Sequence, residues 1–215
     1  MDSSSSPVGI IAVGRPAGAS AVDGDVKSHL HGYLQRVHEA LLWKLDGLGE
    51  RDARWPMTPT GTNLLGLLKH VVTVESEYFG SVFDRDFPED LTWTADDAED
   101  NDDMWAWPEE TIGSVRALAE RVWAHVDATI EDLGLDAPGR VPWWGENGEV
   151  TLGDVLVHVL AEVARHAGQA DILREMVDGT AGLSARHRNL PGRDAQWWAD
   201  YVRKLEKVAA EAADA

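Results

Sequence analysis

The sequence predicts an all-α protein: an up-down-down-up four-helix bundle with a long crossover from the second to the third helix and an extra C-terminal helix. Three observations carry this. Apolar residues recur every three or four positions through four long stretches and one shorter terminal stretch. No stretch alternates as a half-buried strand would, and there is no internal repeat. One connection, at about 24 residues, far exceeds the roughly 2 to 8 typical of an antiparallel helix pair, so it is long enough to run back along the bundle and leave the second and third helices pointing the same way.

Residues 1–24 hold the run Ser3 to Ser6, two prolines and several glycines without apolar periodicity, and read as a flexible tail; residues 25–215 read as one domain. Asp25 is a good N-cap for the first helix, which places Leu30, Tyr33, Leu34, Val37, Leu41 and Leu45 at helical spacing and stops at Gly47 and Gly49. After the loop RDARWPMTPTGT, Thr62 is the expected cap of the second helix. That helix keeps Leu64, Leu68, Val71, Tyr78 and Val82 on one face and ends near Phe83. Residues 84–110 carry twelve Asp or Glu and one base, Arg85, and read as a solvated excursion. Trp93, Trp105 and Trp107 within it imply that parts lie down on the domain. The third helix is expected to hold Pro108 in its first turn and to run to about Leu133. Thr151 caps the fourth helix, which closes at Gly179, and a last amphipathic helix covers roughly 195–212.

The chain has 215 residues, 44% hydrophobic and 27% charged, enough for a sizeable core. Lys plus Arg number 19 against 38 Asp plus Glu, a formal charge of −19 with a pI of about 4.6. This disfavours nucleic acid and anionic membranes as partners, because both are gripped through cationic faces. The absence of cysteine excludes disulfides, thiolate metal sites and Cys nucleophiles, so any metal must sit on His, Asp or Glu. With no signal-like or spanning segment, a cytoplasmic location is expected. Bundles with exposed tryptophans and a C-terminal helix often dimerise, so a homodimer is a candidate assembly.

The fourth helix carries His158, Glu162 and His166 at a spacing of four. Neighbours four apart differ by about 40° around a helix, so the three form one near-axial stripe, with His166 inside the core face, Glu162 at its border and His158 further out. A buried carboxylate needs a partner, and a divalent cation is one that also uses the histidine. His70, at the border of the second helix's apolar stripe, is the third candidate ligand. Two histidines and one carboxylate with open positions suit catalytic Zn²⁺, or Fe²⁺ or Ni²⁺. The competing reading pairs Glu162 with Arg165 or a neighbouring helix and packs His166 as a core histidine.

The segments TPTGTNLLGLLKHVVTVESEYFG and WWGENGEVTLGDVLVHVLAEVARHAGQADILREMVDG resemble the DinB-like metalloprotein superfamily, in the branch that includes the N-terminal domain of mycothiol-dependent maleylpyruvate isomerase. The resemblance covers about residues 26–180. It implies the up-down-down-up bundle and a metal held by His70, Glu162 and His166. It departs at Gln169, where many relatives have a further histidine, and in the C-terminal region, where the isomerase has another domain and this chain has only about 35 residues after the fourth helix.

Other polar residues fall near this site. Glu75, mid-stripe in the second helix, and Arg174, near the core face of the fourth, each need a partner; they are expected either to pair with each other or to anchor a substrate carboxylate. His158 reads as a solvated histidine or one that supports the ligands from behind. Trp55, Trp143 and Trp144 lie in loops at the ends of the bundle, where aromatics line a pocket mouth or anchor the loop. His29, His31, His38, His125 and His187 read as surface or packing residues, and the acidic run lacks the spacing of a calcium loop. The resemblance implies chemistry on a small thiol of the mycothiol type: an S-transferase or thiol-dependent isomerase acting on an electrophilic small molecule, with sulfur held as thiolate by the metal. The alternatives are a metal-binding protein without turnover that binds ligands or answers stress, and a metal-dependent hydrolase. A charge of −19 repels anionic substrates unless the metal and Arg174 offset it locally.

Overall fold

The computed structural model describes residues 26–95 and 98–213. The expected tail, 1–24, and the expected cap Asp25 lie outside them. The described chain is mostly helical: α1 is Val26–Trp43, α2 Glu50–Arg54, α3 Leu64–Tyr78, α4 Ile112–Asp132, α5 Leu152–Asp178 and α6 Ala195–Ala213. Short 3₁₀ turns stand at Ser81–Phe83, Thr92–Thr94, Asp102–Met104 and Pro142–Asn147. None of the helices is long and apolar enough to cross a membrane.

Helix boundaries follow the side chains that satisfy the unpaired terminal amides. At α5 the expected cap is in place: Thr151 and Asp154 cap each other's backbone reciprocally, and Gly179, at φ 72°, ends the helix in the left-handed conformation. Two other starts differ from expectation. Asn63, not Thr62, caps α3 by accepting from Gly66 N at 2.8 Å, while the Thr62 hydroxyl is taken by Thr58. Thr111 and Ser114 form the reciprocal cap of α4, so Pro108 lies before the helix. The C-terminal end of the second predicted helix also shortens: α3 stops at Tyr78, and residues 81–83 continue only as a 3₁₀ turn. Two elements are new. α2 forms in the loop after α1, and β1 (Pro138–Arg140) pairs antiparallel with β2 (Glu149–Thr151), each too short to show alternation.

The core forms where α3 packs on α4 and α5, and α1 packs on α5 and α4. α3 is buried on most sides, with Leu64, Leu65, Leu67, Leu68, Val71 and Val72 all inside. Each such side chain contributes about 1.5–3 kcal/mol by leaving water. Polar contacts tie the helix ends. Lys27 Nζ donates to Glu131 O and Leu133 O, so the start of α1 meets the end of α4. Arg116 Nη1 donates to Asp46 Oδ1 at 2.6 Å, joining the start of α4 to the residues after α1. Tyr78, at the end of α3, meets Trp144 of the 142–147 turn and His158 near the start of α5. By contrast, α6 lies almost wholly exposed, including Trp197, Tyr201, Val202, Leu205 and Val208.

The acidic excursion is only partly solvated. Lys69 of α3 has no exposed surface, and its Nζ donates to Trp105 O at 3.1 Å and to Glu110 Oε2 at 2.9 Å. The same ammonium sits 4.0 Å from the centre of the Trp93 ring and 5.0 Å from that of Trp107. Trp93 Nε1 donates to Thr73 Oγ1, and Arg54 Nη1 to the carbonyls of Ala106 and Trp107. Two of the three tryptophans therefore lie down as expected, whereas Trp105 stays exposed because its backbone carbonyl, not its ring, meets α3.

Gly66 is the point of closest approach: an added Cβ would fall 1.8 Å from Met104 O. An alanine in an open helical position gains up to about 1 kcal/mol over glycine, but here a backbone carbonyl would have to move. Gly66→Ala is expected to lower stability by about 1–3 kcal/mol, whereas Gly168→Ala, with nothing within 4 Å, raises it. Urea midpoints of the two variants with an unchanged m-value check the opposite signs.

Candidate metal centre

α3 and α5 face each other, and each presents a border of its apolar stripe to the other. His70 comes from α3 and Glu162 and His166 from α5, and one ligand atom from each lies within 4.8 Å of the other two. The His70 and His166 rings stand edge to face, their centres 4.8 Å apart. His166 is buried, while His70 and Glu162 are half-buried, so the cluster sits at the edge of the core with one side open. His166 Nε2 lies 2.9 Å from Glu162 Oε1, so these two atoms already converge on one point. Arg165 Nη1 is 3.6 Å from the same oxygen, but its side chain is mostly exposed and the contact is the looser of the two.

The other ring nitrogens are also occupied. His166 Nδ1 donates to Gln169 Oε1 at 2.7 Å, and His70 Nδ1 donates to Asp103 Oδ2 at 2.6 Å. With both Nδ1 atoms bonded outward, the Nε2 atoms are the ones available to a metal, the usual arrangement around a metal-binding histidine. Two imidazoles, one carboxylate and an open side fit a divalent cation such as Zn²⁺. Electrostatics around the cluster agree with this geometry. The hydrogen bond from His70 holds the Asp103 carboxyl below its ordinary value of 3.8. Burial pushes Glu77 above its ordinary 4.5, the Asp103 charge adds to the shift, and His70 opposes it. Glu77 is seven residues after His70, two turns along the same face of α3.

The remaining expected residues distribute differently. Gln169 touches His166, as just described. His158 is exposed one turn before Glu162; its ring packs 4.8 Å from Trp144 and 5.2 Å from Tyr78. Trp144 is half-buried beside it, and Trp143 Nε1 donates to Tyr78 Oη at 3.2 Å. This aromatic group flanks the α5 side of the cluster. Trp55 stands apart, with Arg51 over its ring.

Glu75 and Arg174 do not pair with each other. Glu75, fully buried, accepts from His38 Nε2 at 2.7 Å and from Trp123 Nε1 at 2.6 Å, while the His38 and Trp123 rings stack 4.1 Å apart. Neither Glu75 nor His38 belongs to the metal cluster; both serve the packing of α1, α3 and α4. Arg174 instead donates to Lys44 O and Asp46 O just beyond α1 and to Asp178 on its own helix. Sequence reasoning paired Glu75 with Arg174 because both are charges on core faces, but the nearer donors for Glu75 come from a histidine and an indole. It also missed Asp103 and Glu77. Asp103 is one of twelve acids in the crossover and carries no spacing signal, whereas the seven-residue interval from His70 could have placed Glu77.

A family model described as Mycothiol-S-transferase matches residues 29–179. The chain belongs to the mycothiol S-transferase family. This is a DinB-like branch, in agreement with the resemblance read from LLKHVVTVESEYFG and EVARHAGQADILRE. The match takes in His70, Asp103, Glu162, His166 and Gln169, and it ends at the glycine that caps α5, so α6 lies outside it. No curated protein matches the chain. Family membership supports a mycothiol-related thiol transferase activity with a small-molecule thiol as substrate.

The Arg174–Asp178 pair makes a stability test independent of the metal. Arg174 holds the Asp178 carboxyl at about 2 against an ordinary 3.8. Because the folded value is the lower one, the pair adds stability above the ordinary value, and the contribution is lost as pH falls toward about 2. Asp178→Asn is expected to cost up to about 1 kcal/mol at neutral pH, given the exposure of the carboxylate. Denaturation curves across pH should show the gap from the native chain closing by about pH 2.

Proposed function

We propose that the chain is a divalent-metal-dependent thiol S-transferase. In this reading His70, Glu162 and His166 hold the metal, and a small thiol of the mycothiol type attacks an electrophilic small molecule. The observation that carries the reading is the convergence of these three ligands within the family-matched region. Two histidines and a carboxylate fit Zn²⁺ best, with Fe²⁺ or Ni²⁺ compatible with the same donors.

A bound divalent cation with an open position lowers the pKa of a thiol and so supplies thiolate at neutral pH. The protein's residues do the rest. With no cysteine in the chain, the sulfur comes from the small molecule. Gln169 holds the His166 imidazole from behind. The thiol gives up its proton at the open edge of the cluster. The sulfur then forms its bond to the electrophilic carbon, the leaving group departs with the electron pair, and the proton follows it to solvent. Trp144, His158 and Tyr78 give the electrophile an aromatic wall rather than a cationic one. The family's description favours transfer over isomerisation.

The fold reading underneath is one domain whose four long helices run up-down-down-up. It is supported by the end-to-end contacts: α1 starts where α4 ends, α5 ends where α1 ends, and α3 ends where α5 starts. A reduced small thiol as cosubstrate favours a cytoplasmic site of action.

The test is metal content and thiol consumption of the untagged protein. We expect about one metal per chain, lost in His70→Ala, Glu162→Ala and His166→Ala. Consumption of a small thiol with a model electrophile is expected to fall by about two orders of magnitude or more in the same variants. No metal under any loading condition would reduce the cluster to core packing, and metal with thiol bound but no product across a broad electrophile panel would leave a binding protein.

A further inference from the structure

We propose that Asp103, on the acidic crossover, is the positioning residue of His70, holding its imidazole with the proton on Nδ1 and turning Nε2 toward Glu162 and His166. The inference rests on the metal reading above and goes beyond it, because it assigns a task to a segment that contributes no ligand. Four observations support it.

The hydrogen bond from His70 Nδ1 to Asp103 Oδ2 is 2.6 Å long and shielded, with only 20% and 25% of the two side chains exposed. The backbone that carries Asp103 is pinned on the side leading away from it: Met104 O accepts from Asn63 Nδ2, and Trp105 O accepts from buried Lys69, the residue before His70. On the other side, Asp102 Oδ2 accepts from Glu99 N, closing the turn that passes through Asn101 in the left-handed conformation. Finally, the two histidines are supported unequally. His166 leans on the neutral amide of Gln169 from its own helix, whereas His70 leans on an anion from 33 residues away in sequence. An anionic partner makes an imidazole the stronger donor, so the acidic crossover tunes the α3 side of the centre.

The test uses the full chain and two readouts other than activity. Zn²⁺ affinity is measured by competition with a chromophoric chelator, and ligand geometry by the visible absorption of the Co²⁺ form. Asp103→Ala is expected to weaken Zn²⁺ binding about 10- to 100-fold and to shift the Co²⁺ bands. Asp103→Asn, which keeps an acceptor of the same shape, should fall between it and the native chain. Asp100→Asn removes an equal charge from an exposed neighbour and is expected to stay within about twofold, since exposed charges are screened.

Native affinity and an unchanged Co²⁺ spectrum in Asp103→Ala would overturn the inference while leaving the metal reading intact. Equal losses in Asp100→Asn and Asp103→Ala would also overturn it, by reducing the effect to general charge. If the native chain binds neither ion, the metal reading itself fails and this inference falls with it. Should Asp103→Ala lose its helical circular dichroism, the isosteric Asp103→Asn decides: native affinity there with an unchanged Co²⁺ spectrum overturns the proposal, and weakened binding supports it.

Discussion

An ammonium group with no exposed surface has to find its compensation inside the protein, and Lys69 finds it entirely in the crossover between α3 and α4. Burial alone lowers its pKa, and the Glu110 carboxylate opposes that shift. Removing one partner of such a buried pair costs roughly 3–5 kcal/mol, because the other charge is left uncompensated. The crossover is thus held against α3 by a local electrostatic demand, reinforced by two indole faces. What the crossover contributes to the candidate centre depends on this attachment together with the bond from Asn63 to Met104 O. Asp103 reaches His70 because residues 104 and 105 are already bonded to α3.

The same constraint explains the other polar groups in the core. Glu75 sits where α1, α3 and α4 meet, and it uses one donor from α1 and one from α4, so its charge links three helices. Arg174 uses the free carbonyls just beyond α1, which a helix end leaves unsatisfied, together with an aspartate one turn along α5. Each group is fully engaged by protein partners. The His70, Glu162 and His166 cluster differs because its outer nitrogens are engaged while its inner atoms face one another at the open edge of the core. That contrast separates a centre able to take a ligand from buried polar groups that only bolt helices together.

The charge distribution complements this chemistry. The crossover alone carries −11 of the chain's −19, from twelve acids and one arginine, and Asp103 and Glu162 stand at the candidate centre. Such a surround favours a cation in the site and disfavours a strongly anionic electrophile. The aromatic group of Tyr78, Trp143 and Trp144 offers an electrophile stacking surface in place of cationic contacts.

Much of the fold was legible because its signals are local. Apolar periodicity marked all four long helices and the terminal one, and Thr151 and Gly179 marked both ends of α5, since a cap is chosen by side chains within three or four residues. The members of the candidate cluster were legible for the same reason: Glu162 and His166 are one helical turn apart, and His70 borders the facing stripe of α3. Caps that turn on a choice between neighbours, Thr62 or Asn63, and strands of three residues fell below that resolution.

What only the tertiary structure decided are the pairings between segments distant in sequence. Glu75 went to His38 and Trp123 rather than to Arg174, and one aspartate among twelve acids of the crossover came to stand behind His70. The sequence alone determined which residue types were available and which helix face carried them. The partners of Glu75 were decided by how α1 and α4 pack on α3, and that of His70 by where the crossover lay down on buried Lys69; a charge buried by packing leaves no periodic trace in the chain.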